Sequence, residues 1–148
     1  MEYKAAEQKI KQILQARSKQ SALQKIIDYL FEKFEKYNWI GIYLVNGDKL
    51  ILGPWQGKQA TEHTTIPLGK GICGSAAKTG KTELVDDVAK DNRYLSCFFS
   101  THSEIVVPIK RMNVVLGEID IDSDIPAAFN KKDIIFLEKV ADMLSQHI

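Results

Sequence analysis

The segment Gly117-Glu118-Ile119-Asp120-Ile121-Asp122 alternates acid and isoleucine at every step. Side chains along a strand point to opposite faces in turn, so a period of two fits a strand and not a helix. One face of that strand is aliphatic, and the other carries Glu118, Asp120 and Asp122. A second segment repeats the period, with Ile40, Ile42 and Leu44 on one face and Trp39, Gly41 and Tyr43 on the other. The aliphatic faces demand cover, which fixes a sheet with one side packed on a core. The acidic face has two readings. In solvent, three like charges in a row cost little; beside a pocket they raise one another's proton affinity and attract an ammonium group. The Trp39–Gly41–Tyr43 face likewise reads either as ordinary aromatic packing or as the wall of a small-molecule site.

The cover comes from both ends of the chain. Residues 2–36 carry Ile10, Ile13, Leu14, Leu23, Ile26, Ile27, Leu30, Phe31 and Phe34 at helical spacing, with a dip at 18–21 that divides them into two helices. Asn130 is placed to cap a last helix through residue 147, with Ile134, Leu137, Val140, Ala141 and Leu144 as its apolar stripe. Between them, 39–45 and 50–52 form a hairpin about Asn46-Gly47, a dipeptide suited to a type I′ turn. Gly53-Pro54 opens a loop, short strands follow at 64–66 and 81–85, and 105–109 and 113–122 pair across a tight turn at 110–112. The expected fold is α+β, a central antiparallel sheet with N- and C-terminal helices packed on one side and a ligand pocket on the other. A chain of 148 residues is long enough to bury a core without disulfides or metals. It divides into an N-terminal helical region at 1–37, sheet and pocket at 38–129 and a C-terminal helix at 130–147, all within one domain, 1–148.

The chemistry-bearing residues include two cysteines. Cys97 lies in a polar, irregular loop at 86–100, seven residues before Glu104, which opens the apolar run Ile105-Val106-Val107. Cys73 lies in Gly69-Lys70-Gly71-Ile72-Cys73-Gly74, a formal match to the dinucleotide-binding glycine pattern. That reading is rejected, because no strong strand precedes the glycines and no βαβ unit surrounds them. The glycine-rich turn instead opens a short helix with Cys73 in its first turn, where free N–H groups attract anions and lower a thiol's pKa. The competing reading makes both cysteines small buried hydrophobes. A net charge of +1 with mixed signs gives no nucleic-acid footprint, and no apolar run reaches the roughly 20 residues that span a membrane. The segment Met1-Glu2-Tyr3-Lys4-Ala5 has no apolar signal core, so a cytoplasmic location with reduced thiols is expected. His63, His102 and His147 show no ligand spacing with either cysteine, so neither a metal nor a cofactor is expected.

Taken in order, Asn38-Trp39-Ile40-Gly41-Ile42-Tyr43, Gly53-Pro54-Trp55-Gln56-Gly57, Gly69-Lys70-Gly71-Ile72-Cys73-Gly74, Ser103-Glu104-Ile105-Val106-Val107-Pro108 and Gly117-Glu118-Ile119-Asp120-Ile121-Asp122 resemble the free methionine-(R)-sulfoxide reductases of the GAF-domain type. The resemblance runs from about residue 38 to 137. It implies a GAF-like fold and reduction of free, not protein-bound, methionine sulfoxide. A cysteine attacks the sulfoxide sulfur and becomes a sulfenic acid; a second cysteine forms a disulfide with it, and thioredoxin restores the thiols. By position the attacking thiol falls on Cys97, the substrate-site carboxylates on Glu104, Asp120 and Asp122, the pocket aromatics on Trp39 and Tyr43, and a further family cysteine on Cys73. Glu104 is the first choice of proton donor and Asp122 the second. The chain departs from the pattern at His63, where many members carry a third cysteine, and at Arg93-Tyr94-Leu95-Ser96. Recycling therefore falls to Cys73 or an external thiol. The terminal helices suit a homodimer. The rival readings are a non-catalytic GAF-type module that binds a small ligand or senses oxidation, and a structural interaction domain.

Overall fold

The alternating segments build one six-stranded antiparallel sheet in the computed structural model, which describes residues 2–16, 18–95, 98 and 100–148. Its strands are β1 (Trp39–Asn46), β2 (Lys49–Gly57), β3 (Thr65–Pro67), β4 (Glu83–Val85), β5 (Ser103–Arg111) and β6 (Val114–Ser123), in the spatial order β3-β2-β1-β6-β5-β4. The helices are α1 (Glu2–Ala16), α2 (Lys19–Lys33), α3 (Gly71–Thr79) and α4 (Lys131–Ser145). The break between α1 and α2 falls at the polar dip expected there.

The two faces of the sheet carry separate cores. Ile40 and Ile42 of β1, Ile105, Val107 and Ile109 of β5 and Ile119 and Ile121 of β6 pack beneath α1, α2 and α4. On the other face Trp39, Tyr43, Leu50, Ile66 and Val106 meet Ile72, Cys73, Ala76 and Ala77 of α3. An α+β fold with helices on one side and a covered second face is thus what the alternation builds. The cap of α4 locks the ends of the chain together. The Asn130 side chain accepts from the backbone N–H of Lys132 and Asp133, and Asp133 accepts from the Asn130 N–H. The other Asp133 oxygen receives Tyr3 Oη at 2.6 Å and Lys36 Nζ at 2.7 Å.

Three local expectations are corrected. The first hairpin pairs Asn46 with Lys49, so its central residues are Gly47-Asp48, and only Gly47 has positive φ, at 64°. Glycine at the first central position fits a type II′ turn, one residue later than the type I′ turn expected from Asn46-Gly47. β2 does not stop at Leu52 but continues through Gly53-Pro54 to Gly57. Gly41 pairs with Trp55 and Tyr43 with Leu52, leaving Gly53 and Pro54 in a bulge opposite Ile42, where a proline without an N–H is tolerated. The β5–β6 turn centres on Met112 and Asn113, both with positive φ, one to two residues later than the middle of the turn expected at 110–112.

Candidate active site

Strand register decides which side chains meet on the face beneath α3. Asp122 is flanked by Trp39 on β1 and by Glu104 on β5, which makes one row across three strands. The next row on the same face is Gly41, Asp120 and Val106, and Tyr43 pairs with Glu118 beyond it. All four acids are buried, with Glu118 at 0% exposure and Glu104 the most exposed at 5%. α3 lays Cys73 over them, its Sγ 3.9 Å from Glu104 Oε2. One donor atom each from Cys73, Glu104 and Asp120 lie within 4.8 Å of one another, which makes these, among the described residues, a set able to share a metal ion.

Burial without counter-charge sets the electrostatics. None of the four acids forms an ion pair among the described residues. Burial holds the Glu104 carboxyl well above the usual range, and the Asp120 and Asp122 charges push it further. The neighbouring aspartates act upward on Glu104, while Glu104 acts downward on Asp120 and Asp122. Burial also raises Asp122, Asp120 and Glu118, with the Asp120 charge adding to the rise at Asp122 and Glu118. Asp120 Oδ1, Asp122 Oδ1 and both Glu118 oxygens have no hydrogen-bond partner among the described residues.

The thiol expectation is overturned by the same physics. Cys73 does sit in the first turn of α3, but burial drives its pKa up, and Asp120, Glu118, Glu104 and Asp122 drive it further in the same order. Four acids and desolvation outweigh the partial charge of a short helix. Cys73 rests as a thiol.

Aromatic walls close the site. The Trp39 indole folds back over Gly41, occupying the space a side chain would need there, so the gap between the two rings is filled by one of them. It stacks on Trp55 with centroids 6.2 Å apart and meets Phe98 at 5.9 Å. Tyr43 donates its hydroxyl to the His63 carbonyl at 2.7 Å, which puts His63 beside the pocket wall. Gly71, with φ at 70°, leaves the space into which Leu95 packs. That contact brings the loop across the first turn of α3, and Arg93 ties the loop down through Asp91 and Glu83. A cavity of about 20 Å³ remains between Tyr43, Ile72, Cys73, Leu95, Glu104 and Asp120. A second, of about 50 Å³, opens beside Trp39, Phe98 and Asp122.

A model of the GAF domain matches residues 18–148. The chain belongs to the GAF-domain family. Within that family its place is with the free methionine-R-sulfoxide reductases. It is 38% identical over 104 residues to the free methionine-R-sulfoxide reductase of Escherichia coli strain K12, a match that covers 70% of this chain and 62% of that protein. The chain therefore spans about three-fifths of that relative's length. The structure of the type II free methionine-R-sulfoxide reductase of Thermoplasma acidophilum superposes with a TM-score of 0.84 at 41% identity, covering 86% of this GAF chain and 90% of that one. The Neisseria meningitidis reductase in complex with its substrate superposes at 0.92 with 32% identity, covering 98% and 87%.

Of the residues singled out from the sequence, Trp39, Tyr43, Cys73, Glu104, Asp120 and Asp122 converge on this GAF face. Cys97 lies outside the described residues. Glu118 was passed over as a site residue, although it stands in the same alternation as Asp120 and Asp122. Its signal was its place in that row, and its burial is what makes it part of the site. Among the described residues no helix is long and apolar enough to cross a membrane.

Proposed function

We propose that the chain reduces free L-methionine-(R)-sulfoxide to methionine. The observation that carries this reading is the set Asp120, Glu104 and Asp122, buried beside Cys73 with no ion-pair partner among the described residues. A free amino acid brings an ammonium group, the charge the acids lack; a methionine sulfoxide residue within a protein brings a neutral amide instead. Trp39 and Tyr43 then supply the surface against which sulfur and methyl groups pack well.

The chemistry needs a proton on the sulfoxide oxygen as sulfur is attacked, and a carboxyl kept neutral by burial is a suitable donor. Glu104 takes that role in preference to Asp122, because burial and both aspartate charges raise it and its carboxyl lies 3.9 Å from the Cys73 sulfur. Cys97 is the attacking thiol by its position in the family pattern. Its sulfur takes the oxygen from the substrate, leaving Cys97 as sulfenic acid and releasing methionine. The Cys73 thiol then attacks the sulfenic sulfur, water leaves, and a Cys73–Cys97 disulfide forms. A dithiol reductant, thioredoxin in a cytoplasmic setting, returns both cysteines to thiols. A homodimer through the terminal helices completes the proposal.

The test is loss of each stereoisomer of free methionine sulfoxide, followed for wild type, Cys97→Ser and Cys73→Ser. The expected pattern is single-turnover reduction of the R form by wild type and Cys73→Ser, none by Cys97→Ser, and multiple turnovers with thioredoxin by wild type alone. No reduction of the R form by wild type with dithiothreitol overturns the activity. Single-turnover reduction by Cys97→Ser overturns the assignment of the nucleophile.

A further inference from the structure

The acidic face holds more negative potential and more unpartnered acceptors than one proton donor requires. Glu118 is fully buried, and neither its two oxygens nor Asp120 Oδ1 beside it has a hydrogen-bond partner among the described residues. Glu118 stands close enough to Cys73 for its charge to act on the thiol. The donors nearest one another are chemically mixed, a sulfur from α3 and oxygens from β5 and β6. We infer that Cys73, Glu104 and Asp120 form a binding site for one zinc-type divalent cation, with Glu118 adding negative charge beside it.

The geometry supports the set. Tetrahedral zinc with bonds of about 2.3 Å to sulfur and about 2.0 Å to oxygen places its ligand atoms roughly 3.3–3.5 Å apart. Cys73 Sγ and Glu104 Oε2 are already 3.9 Å apart, and no separation within the trio exceeds 4.8 Å. Closing the set takes movements of about an ångström by side chains alone, while the strand register holds Glu104 and Asp120 in place. The adjoining cavity of about 20 Å³ accommodates one water as a remaining ligand. The donor type selects the metal. Magnesium and calcium take oxygen ligands in six- to eight-fold shells, whereas a thiolate with two carboxylates suits zinc or cobalt. Binding involves no redox change: the cation displaces the thiol proton and any carboxyl proton, which pass to solvent. The metal takes the place of the substrate ammonium and holds the Cys73 sulfur, so it both excludes substrate and shields that sulfur from oxidation.

Coordination is read without turnover, so the outcome is independent of whether the chain is a reductase. Reduced full-length protein, stripped of metal, is titrated with Co²⁺ and the sulfur-to-cobalt charge-transfer absorption in the near ultraviolet is followed. The expected result is a band saturating at one cobalt per chain, retained in Cys97→Ser, absent in Cys73→Ser, and bleached by one equivalent of Zn²⁺. Glu104→Gln and Asp120→Asn should each weaken cobalt binding about tenfold or more. Thermal unfolding of every variant shows that it is folded before titration; should Cys73→Ser be unfolded, Cys73→Ala replaces it. No band in wild type, a band that survives loss of Cys73, or one that disappears with Cys97 overturns the inference.

Discussion

Four acids on one sheet face, each at most 5% exposed, reverse the usual pH dependence of folding. In the unfolded chain they titrate near pH 4. In the folded chain burial, and at three of them the neighbouring carboxylate charges, hold Glu104, Glu118 and Asp122 well above that value, and burial raises Asp120. From about pH 4 up to the raised values, the folded state keeps protons that the unfolded state has released. Stability therefore falls as pH rises, by about 1.4 kcal/mol per pH unit for each retained proton. Asp91, held below the usual range by its hydrogen bond to Arg93, works the other way, but its contribution is lost only as pH falls below about 4. It offsets nothing between pH 5 and pH 7.

Glu118→Gln isolates one of these protons. Glutamine has the same shape and stays neutral at every pH. Its unpartnered amide costs about 1–3 kcal/mol, but that offset is constant and leaves the slope untouched. Urea unfolding, read by the fluorescence of Trp39 and Trp55 in reducing buffers with EDTA, gives stability from about pH 5 to pH 7. The wild type should lose at least about 1.4 kcal/mol per pH unit over part of that range, roughly 3–6 °C in Tm for a chain of this size. The variant should show a slope shallower by up to about 1.4 kcal/mol per pH unit. A wild-type stability that is flat or rising with pH, or a variant with the wild-type slope, refutes the reasoning.

Gly71→Ala should cost about 1–2 kcal/mol in urea unfolding, because φ is positive there and the new methyl would meet Leu95 at 2.8 Å; an unchanged midpoint contradicts this. Arg93→Ala removes exposed ion pairs to Asp91 and Glu83, so stability should change by less than about 1 kcal/mol. The same change should speed alkylation of Cys73 in a Cys97→Ser background, since Leu95 loses its tether; an unaltered rate counts against the tether. Asp133→Ala removes the acceptor of Tyr3, Lys36 and the Asn130 N–H together, and should cost about 3 kcal/mol. A loss below 1 kcal/mol would show that the network contributes little.

The sheet was legible because alternation assigns every residue of β1 and β6 to a face, and the aliphatic face can only be the buried side under the helices. Turn positions were less so. Asn46-Gly47 is a strong local signal, yet pairing of Asn46 with Lys49 moved the turn by one residue, and Gly53-Pro54 read as a loop because a bulge opposite Ile42 is invisible without its partner strand. The site divided in the same way. Glu104, Asp120 and Asp122 were found from the motif pattern, whereas the raised proton affinity of Glu104 depends on its burial beside two aspartates from another strand. The Cys73 thiol was misjudged because the helix turn around it is local and the acids above which it sits are 31 to 49 residues away in the chain.

That division of faces yields a sharper test of the whole scheme. Glu118 and Ile119 are adjacent, yet one points at the acidic pocket and the other into the core beneath α1, α2 and α4. Burying acids without cations opposes folding, so the apolar face must supply the offset. Ile119→Val removes one buried methylene, worth about 1 kcal/mol, from a group that does not titrate. It should lower stability equally at every pH and leave the slope as in wild type, where Glu118→Gln changes the slope. The double variant should add the two effects, because the side chains lie on opposite sides of the sheet with no shared partner. If Ile119→Val changes the slope, the faces are coupled through the strand, and pocket and core cannot be treated as independent halves of the molecule.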